Sequence, residues 1–374
     1  MKRPHPAPSP WRVQDVSRAV EELAPVSLAY SWDRSGLAVG SPSAEVSSVL
    51  FALTLTDEVV DAAGRAGAEM VVLHHPPIWE LLRSIRYDDP ITRPLLDLVR
   101  LKMACYSAHT NLDLAEGGVN DALADRLGLA VRGPLISAPQ AGLRKLVAFV
   151  PESHLDAVRD AVCTAGAGTI GAYTRCSFSA PGVGTFEPGA GAQPYAGEVG
   201  RICEEPERRF ETLVPAARVD AAVDALLRAH PYEEAAYDVY TVEGTDPAVG
   251  LGRLGVLPKA VELATFAEQV KTALKIPHVR YVGPPDRDVQ CVGVIGGSGG
   301  SELGRVPDGV DVVVTGDVKY HDASDACRRG LAVVDAGHAA TELPVLEVLK
   351  KRVQRALPGL RTACYEEPEL FRTT

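Results

Sequence analysis

The sequence predicts an α/β protein whose main domain is discontinuous, interrupted by an inserted α+β domain of ferredoxin-like type. Residues 10 to 140 alternate helix-like and strand-like stretches, the same rhythm returns after residue 246, and the segment between them contains an internal repeat. The expected boundaries are 1–140 and 246–374 for the two halves of the α/β domain and 141–245 for the insert. At 374 residues the chain is too long for one ordinary domain and long enough for separate cores.

In the first half, Val13–Leu23 reads as a helix, Val46–Thr56 as a strand, Glu58–Gly67 as a helix and Glu69–Leu73 as a strand. A helix over Thr92–Arg100, a strand over Met103–Ser107 and a glycine-ended helix over Asn120–Gly128 follow. In the middle segment the repeat appears at an offset of 64 residues: Val150-Pro151 matches Val214-Pro215, Asp156-Ala157 matches Asp220-Ala221, and Asp160-Ala161 matches Asp224-Ala225. Two βαβ copies in the frame strand, Val-Pro turn, amphipathic helix, strand give the ferredoxin-like expectation. Pro181–Gly200, rich in Gly and Pro, reads as a long loop or hairpin between the copies. His230-Pro231-Tyr232-Glu233-Glu234 reads as a turn before a strand at Ala236–Thr241, with a ligand or effector site as the competing reading. In the second half Val261–Leu274 reads as a helix, and Val289–Ile295, Val310–Thr315 and Leu331–Val334 are short β-branched runs of the kind buried in parallel sheets.

Composition narrows the function. Net charge is −11 with a pI near 5.4, and no basic cluster exceeds Lys350-Lys351-Arg352, so nucleic acid is a disfavoured partner. Bound divalent ions would reverse the local field and leave small anionic substrates open. No run reaches the roughly eighteen apolar residues of a membrane span, and Met1-Lys2-Arg3-Pro4-His5-Pro6 leads into proline and polar residues rather than an apolar signal core. A cytoplasmic protein is therefore expected. The cysteines, Cys105, Cys163, Cys176, Cys203, Cys291, Cys327 and Cys364, are never spaced Cys-x-x-Cys and read mostly as buried, reduced thiols.

Four strand ends carry the chemistry: Leu73-His74-His75-Pro76-Pro77, Ala108-His109-Thr110-Asn111-Leu112-Asp113, Gly316-Asp317-Val318-Lys319-Tyr320-His321-Asp322 and Gly337-His338-Ala339-Ala340-Thr341-Glu342. In an open parallel sheet, ligands gather beyond the carboxyl ends of the strands, so these residues can converge. A helix starting at His338 puts Glu342 on the same face, four residues on. Either the His-His pair or the His338/Glu342 pair alone reads as solvated; four such ends in one chain favour a metal site. Imidazole and carboxylate without thiolate suit Zn, Fe, Mn, Co or Ni. Two ions fit better than one, because His74, His75, Asp113, His338 and Glu342 outnumber the three protein ligands usual at an open single-zinc site. Ions paired at about 3.5–4 Å perform hydrolytic chemistry. His109 and His321 are the candidates for catalytic proton transfer, with an ordinary structural histidine as the competing reading of each. Gly296-Gly297-Ser298-Gly299-Gly300 formally fits a Gly-x-Ser-x-Gly nucleophile elbow, but a serine mechanism leaves His74, His75, Asp113 and Glu342 unexplained. Trp32–Gly40 reads as a pocket wall or a turn into a strand.

Over nearly the whole chain, these motifs, with the Trp-Asp-x-x-Gly-Leu element at 32–37, Gly-Gly-Ser-Gly at 296–299 and Thr-Gly-Asp-Val-Lys-Tyr-His-Asp at 315–322, resemble the Nif-three-like proteins, also called GTP cyclohydrolase 1 type 2 homologues. The resemblance implies two divalent metal ions per subunit, zinc, iron or manganese, on His74, His75, Asp113, His338 and Glu342. It also implies an insert similar to the PII and copper-tolerance proteins, a homo-hexameric ring, and a GTP cyclohydrolase-like hydrolase acting on a small-molecule, nucleotide-type substrate. The alternative is a non-enzymatic protein for metal storage, metal delivery or ligand-sensing regulation. Arg34 stands where many members have Asn, a departure that touches pocket contacts rather than metal ligands.

Overall fold

The structure, a computed structural model, describes residues 11–138, 142–368 and 370–371. The expected boundary at 140/141 and the N-terminal reading over Met1–Pro6 lie outside the described residues. Residues up to 137 and those from 248 onward form one compact unit, and residues 138–247 form another.

The first unit holds two large sheets, besides a two-stranded pairing of Trp11–Arg12 with Glu45–Val46. One runs in the order Arg361–Cys364, Ser48–Ala52, Met70–Leu73, Ala104–Ser107, Gly36–Val39; the first four strands are parallel and the last closes the edge antiparallel. The other runs Arg280–Val282, Ala332–Asp335, Val312–Thr315, Asp288–Val294, Gly250–Glu262, Ala130–Ser137, parallel over the three consecutive strands from Ala332–Asp335 to Asp288–Val294 and antiparallel elsewhere. The halves of the sequence interleave: Ala130–Ser137 pairs with Gly250–Glu262, and Arg361–Cys364 returns to Ser48–Ala52. Neither strand announces itself, since Ala130–Ser137 contains Arg132, Gly133 and Pro134, and Arg361–Cys364 spans only four residues.

Local rules set the elements. Helix Asp57–Ala66 starts at Thr56, whose hydroxyl accepts from the Val59 N–H, and ends at Gly67 in the left-handed conformation, φ +60°. Pro94 opens helix Arg93–Arg100, where its missing N–H costs no helical bond. The expected helix over Val261–Leu274 starts instead at Leu263, because Val261 and Glu262 pair with Val289 and Asp288. The expected strand over Val46–Thr56 is shorter, with Glu45–Val46 pairing separately with Trp11–Arg12. Strands Ser48–Ala52, Met70–Leu73 and Ala104–Ser107 are buried along their whole length, as parallel strands covered on both faces must be. Leu50, Val71 and Cys105 pack beneath Val59, Ala63 and Leu98, while Val292, Val312 and Val334 pack with Phe266 and Leu123. No helix among the described residues is long and apolar enough to cross a membrane.

In residues 138–247, the antiparallel sheet runs Tyr237–Thr245, Gly142–Pro151, Cys203–Pro215, Ser177–Phe186. Both Val-Pro sites end a strand, each followed by a 3-10 turn and then a helix, Leu155–Thr164 or Val219–Ala229. These helices cover Leu146, Ala148, Val150 and Phe210 with Val158, Val162, Ala222 and Leu226. Pro181–Gly200 divides between strand and connection: Ser177–Phe186 and Cys203–Pro215 make a hairpin. The cysteines are free; Cys105 alone is buried, Cys327 is exposed and the others are half-buried, so the expectation of mostly buried thiols does not hold.

Candidate metal centre

Regular strand pairing carries the candidate ligands to one place. Leu73 ends its strand, and the next two backbone N–H groups, of His74 and His75, donate to Ala52 and Leu53, so both imidazoles leave the sheet at its carboxyl edge. The Ala108 N–H donates to Leu73, which sets His109 beside them, and Asp113 follows on the short helix Thr110–Leu114. From the second sheet, the Ala336 N–H donates to Thr315, and helix His338–Glu342 begins two residues later.

All four imidazoles are anchored through Nδ1. His74 Nδ1 donates to the Ala108 carbonyl at 2.8 Å, His75 Nδ1 pairs with the Thr54 hydroxyl at 2.7 Å, His109 Nδ1 with Asp33 at 3.0 Å, and His338 Nδ1 with Asp317 at 2.7 Å. This leaves Nε2 of each ring for the cluster, the arrangement that fixes metal-binding histidines elsewhere. His74 Nε2 lies 3.7 Å from Asp113 Oδ1 and 3.4 Å from Glu342 Oε1; His338 Nε2 lies 3.2 Å from Glu342 Oε1 and 3.3 Å from His75 Nε2.

Burial makes this arrangement costly for protein atoms alone. His74 Nε2, Asp113 Oδ1 and Glu342 Oε2 are buried without a hydrogen-bond partner, although Oε2 comes within 3.0 Å of His75 Nε2. Such orphaned atoms are uncommon in folded proteins. Ligand atoms of His74, His75 and Glu342 lie within 4.8 Å of one another, as do those of His74, His109 and Asp113, so the residues can hold metal ions. His109 thus joins the atoms that could hold a metal ion, where the sequence left it between a proton carrier and a structural histidine.

The charges respond to one another. Burial opposes a proton on His74, but Glu342 and Asp113 override it and push the imidazole up to about 9. The hydrogen bond to Glu342 pushes His338 up to about 9, against burial and with help from Asp317. Burial pushes Asp113 up to about 6 and lowers His75. Burial also disfavours ionised Glu342, yet His74, His338 and His75 hold it well below its ordinary value. At pH 7 the centre therefore keeps protons on His74 and His338, which a divalent ion bound through those nitrogens would displace. Metal uptake at pH 7 is expected to release close to two protons per chain, fewer as the pH is raised past about 9. Calorimetric titration in two buffers of different ionisation enthalpy measures this, and no proton release at pH 7 would contradict it.

Two carboxylates outside the expected ligand set hold the histidines. Asp33 accepts from His109 Nδ1, the Thr110 N–H and hydroxyl, the Ser35 hydroxyl and the Arg34 N–H; despite its burial, these bonds hold it below the usual carboxylate range. Asp317 adopts a left-handed backbone, φ +54°, while its carboxylate meets His338. In the sequence Asp33 was visible as part of the Trp-Asp element without a role, and Asp317 as a strand-end residue that could serve as the acid of the serine reading.

The Duf34/NIF3 (NGG1p interacting factor 3) family matches residues 11–368 of this sequence. The chain belongs to the Duf34/NIF3 family. Among its relatives, a GTP cyclohydrolase 1 type 2 homolog from Halalkalibacterium halodurans is 40% identical over 348 residues, 93% of this chain and 92% of that protein. A GTP cyclohydrolase 1 type 2 homolog from Mycobacterium tuberculosis is 38% identical over 356 residues, 93% of each. Among solved structures, the Bacillus cereus protein related to NIF3 superposes with a TM-score of 0.86 at 36% identity, covering 98% of this chain and all of that one. Staphylococcus aureus protein SA1388 gives a TM-score of 0.71 at 28% identity, with 98% of this chain and 100% of that chain covered.

Within this Duf34/NIF3 chain, the five expected ligands and His109 converge, and His321 does not join them. His321 is exposed on helix Tyr320–Arg328 with its ring against Tyr320, and no described contact links it to the cluster. Ser298 is exposed and no hydrogen bond joins it to a histidine among the described residues, so the nucleophile-elbow geometry is missing. The glycine loop instead cradles the site: N–H groups of Gly296, Gly297 and Gly299 donate to Asn120, Thr341 and Thr315.

Proposed function

We propose that this protein is a dinuclear-metal hydrolase of a small molecule, resembling GTP cyclohydrolase in the class of its chemistry. The observation that carries the reading is the meeting of His74 Nε2, Asp113 Oδ1 and Glu342 Oε2, all buried and unpartnered, among four Nδ1-anchored imidazoles. His74, His75, Asp113, His338 and Glu342 are the residues that would hold the two divalent ions, zinc, iron or manganese, with His109 as a further candidate. When bound, such a pair supplies Lewis-acid polarisation of substrate oxygens and a water that ionises near neutral pH.

The chain's own groups do the rest. Asp113 and Glu342 supply buried negative charge that favours cations, and Asp33 and Asp317 fix the tautomers of His109 and His338. Where His109 does not itself hold an ion, its Nδ1 tie to Asp33 leaves Nε2 to take up or deliver a proton. The same reading takes residues 138–247 as a ferredoxin-like insert of the PII and copper-tolerance type, supported by the strand order and the paired Val-Pro-helix segments. A homo-hexameric, cytoplasmic assembly belongs to the proposal through the family resemblance.

The test is a screen of phosphate esters and nucleotides, GTP included, with protein of measured metal content before and after chelation. Turnover that disappears with the metal and returns on reloading is expected. Metal-loaded protein that turns over none of them would contradict the hydrolase and favour a metal carrier.

A further inference from the structure

Two of the three tryptophans of this chain stand side by side next to the candidate metal centre, and both are more than half exposed, Trp32 at 56% and Trp79 at 54%. Their ring centroids are 6.0 Å apart with planes at 57°. Both rings meet His109 edge-on, at 6.3 Å for Trp32 and 5.1 Å for Trp79, and His109 is in turn 5.3 Å from His74. Tyr30 stacks on Trp32 at 5.6 Å, nearly parallel. Large indoles are usually well covered in a folded protein, and clustered exposed apolar rings mark a binding surface.

The placement of each ring is tied to the metal-site residues by the chain itself. Trp32 precedes Asp33, whose carboxylate is fixed by His109, Thr110, Ser35 and Arg34. Trp79 follows His75 across Pro76-Pro77-Ile78, a short segment stiffened by two prolines. The geometry points to Trp32 and Trp79 as a specificity-determining platform that stacks a flat heteroaromatic ring of the substrate while a group attached to that ring reaches the metal centre.

Tilted indoles beside each other offer π faces to a planar ring. A cationic group would also be drawn to them, but the exposed Arg34 opposes it, as divalent ions held at the adjoining cluster would. The position of the reacting group rests on the hydrolase reading above; the stacking itself does not.

The test uses Trp11→Phe protein with its bound metal measured, so that the remaining indole emission comes from the pair. AMP and ribose 5-phosphate, which share the phosphate and sugar and differ by the ring, are titrated while fluorescence is followed with excitation beyond the purine band. AMP is expected to quench saturably and ribose 5-phosphate not to. Trp79→Ala should bind AMP roughly tenfold more weakly, with metal content unchanged, and Trp79→Phe should fall between it and the parent. Absence of saturable quenching, equal quenching by both compounds, or indoles already shielded from acrylamide by a second copy of the chain would overturn the platform. Metal-dependent turnover without AMP quenching removes the platform and spares the hydrolase; quenching without turnover in the screen does the reverse.

Discussion

Glu342→Gln is expected to lower bound metal from about two ions per chain to less than one and to flatten the pH dependence of the metal-free fold. Glu342 is the residue that three imidazoles share, within 3.4 Å of His74, 3.0 Å of His75 and 3.2 Å of His338. The amide keeps the volume and removes the charge, so a bound metal would lose a strong oxygen donor and His74 loses the main cause of its raised proton affinity. Breaking a buried ionic group by removing one partner costs about 3–5 kcal/mol, a large share of a domain's net stability. The sign follows from His74 and His338, both raised from 6.5 to about 9 in the fold. Their protonation stabilises the metal-free wild type fully below pH 6.5, and this contribution is lost as pH rises through about 9. Denaturant titrations of chelated protein between pH 6 and 10 should show that decline in the wild type and a much shallower one in the variant. Equal slopes would mean that Glu342 does not hold the protons.

Gly297→Ala is expected to damage the centre without replacing any candidate ligand. A β-carbon at Gly297 would lie 2.2 Å from Glu342 Oε1 and 3.4 Å from His338 Nε2, and the backbone there is left-handed, φ +68°. The conformation alone costs an alanine about 1–2 kcal/mol. The larger effect is displacement of the Glu342 carboxylate, which is enclosed and has little room to retreat. Metal content should fall as in Glu342→Gln, and the melting temperature of the chelated protein should drop as well. A Gly297→Ala protein with wild-type metal content would show that Glu342 does not need the loop in this position.

The site was legible where chemistry and local pattern coincide. His74 and His75 close an apolar strand, and His338 and Glu342 sit four apart at a helix start; each pair alone reads as solvated, and it was the four such strand ends together that marked the candidate cluster. Asp33 was not assignable, because its partner His109 is 76 residues away and reaches it only after Gly36–Val39 pairs with Ala104–Ser107. Asp317 depends on a backbone conformation that a non-glycine residue seldom adopts and that no sequence pattern announces. The Gly296–Gly300 run suggested a nucleophile elbow because its letters match one, whereas the role visible in the fold is to leave room for Glu342 and to donate backbone N–H groups to Asn120, Thr341 and Thr315. The same distinction explains the two sheets: the buried valine runs were recognisable, but Ala130–Ser137 and Arg361–Cys364 are strands only because distant partners recruit them.

Elemental analysis by mass spectrometry of the full chain, purified without added metal or chelator, is the decisive measurement. Close to two divalent ions per chain, removable by chelation and restored by zinc, iron or manganese, is the predicted result. Protein that carries no metal and takes up none when offered these ions would contradict the metal centre and every functional step built on it.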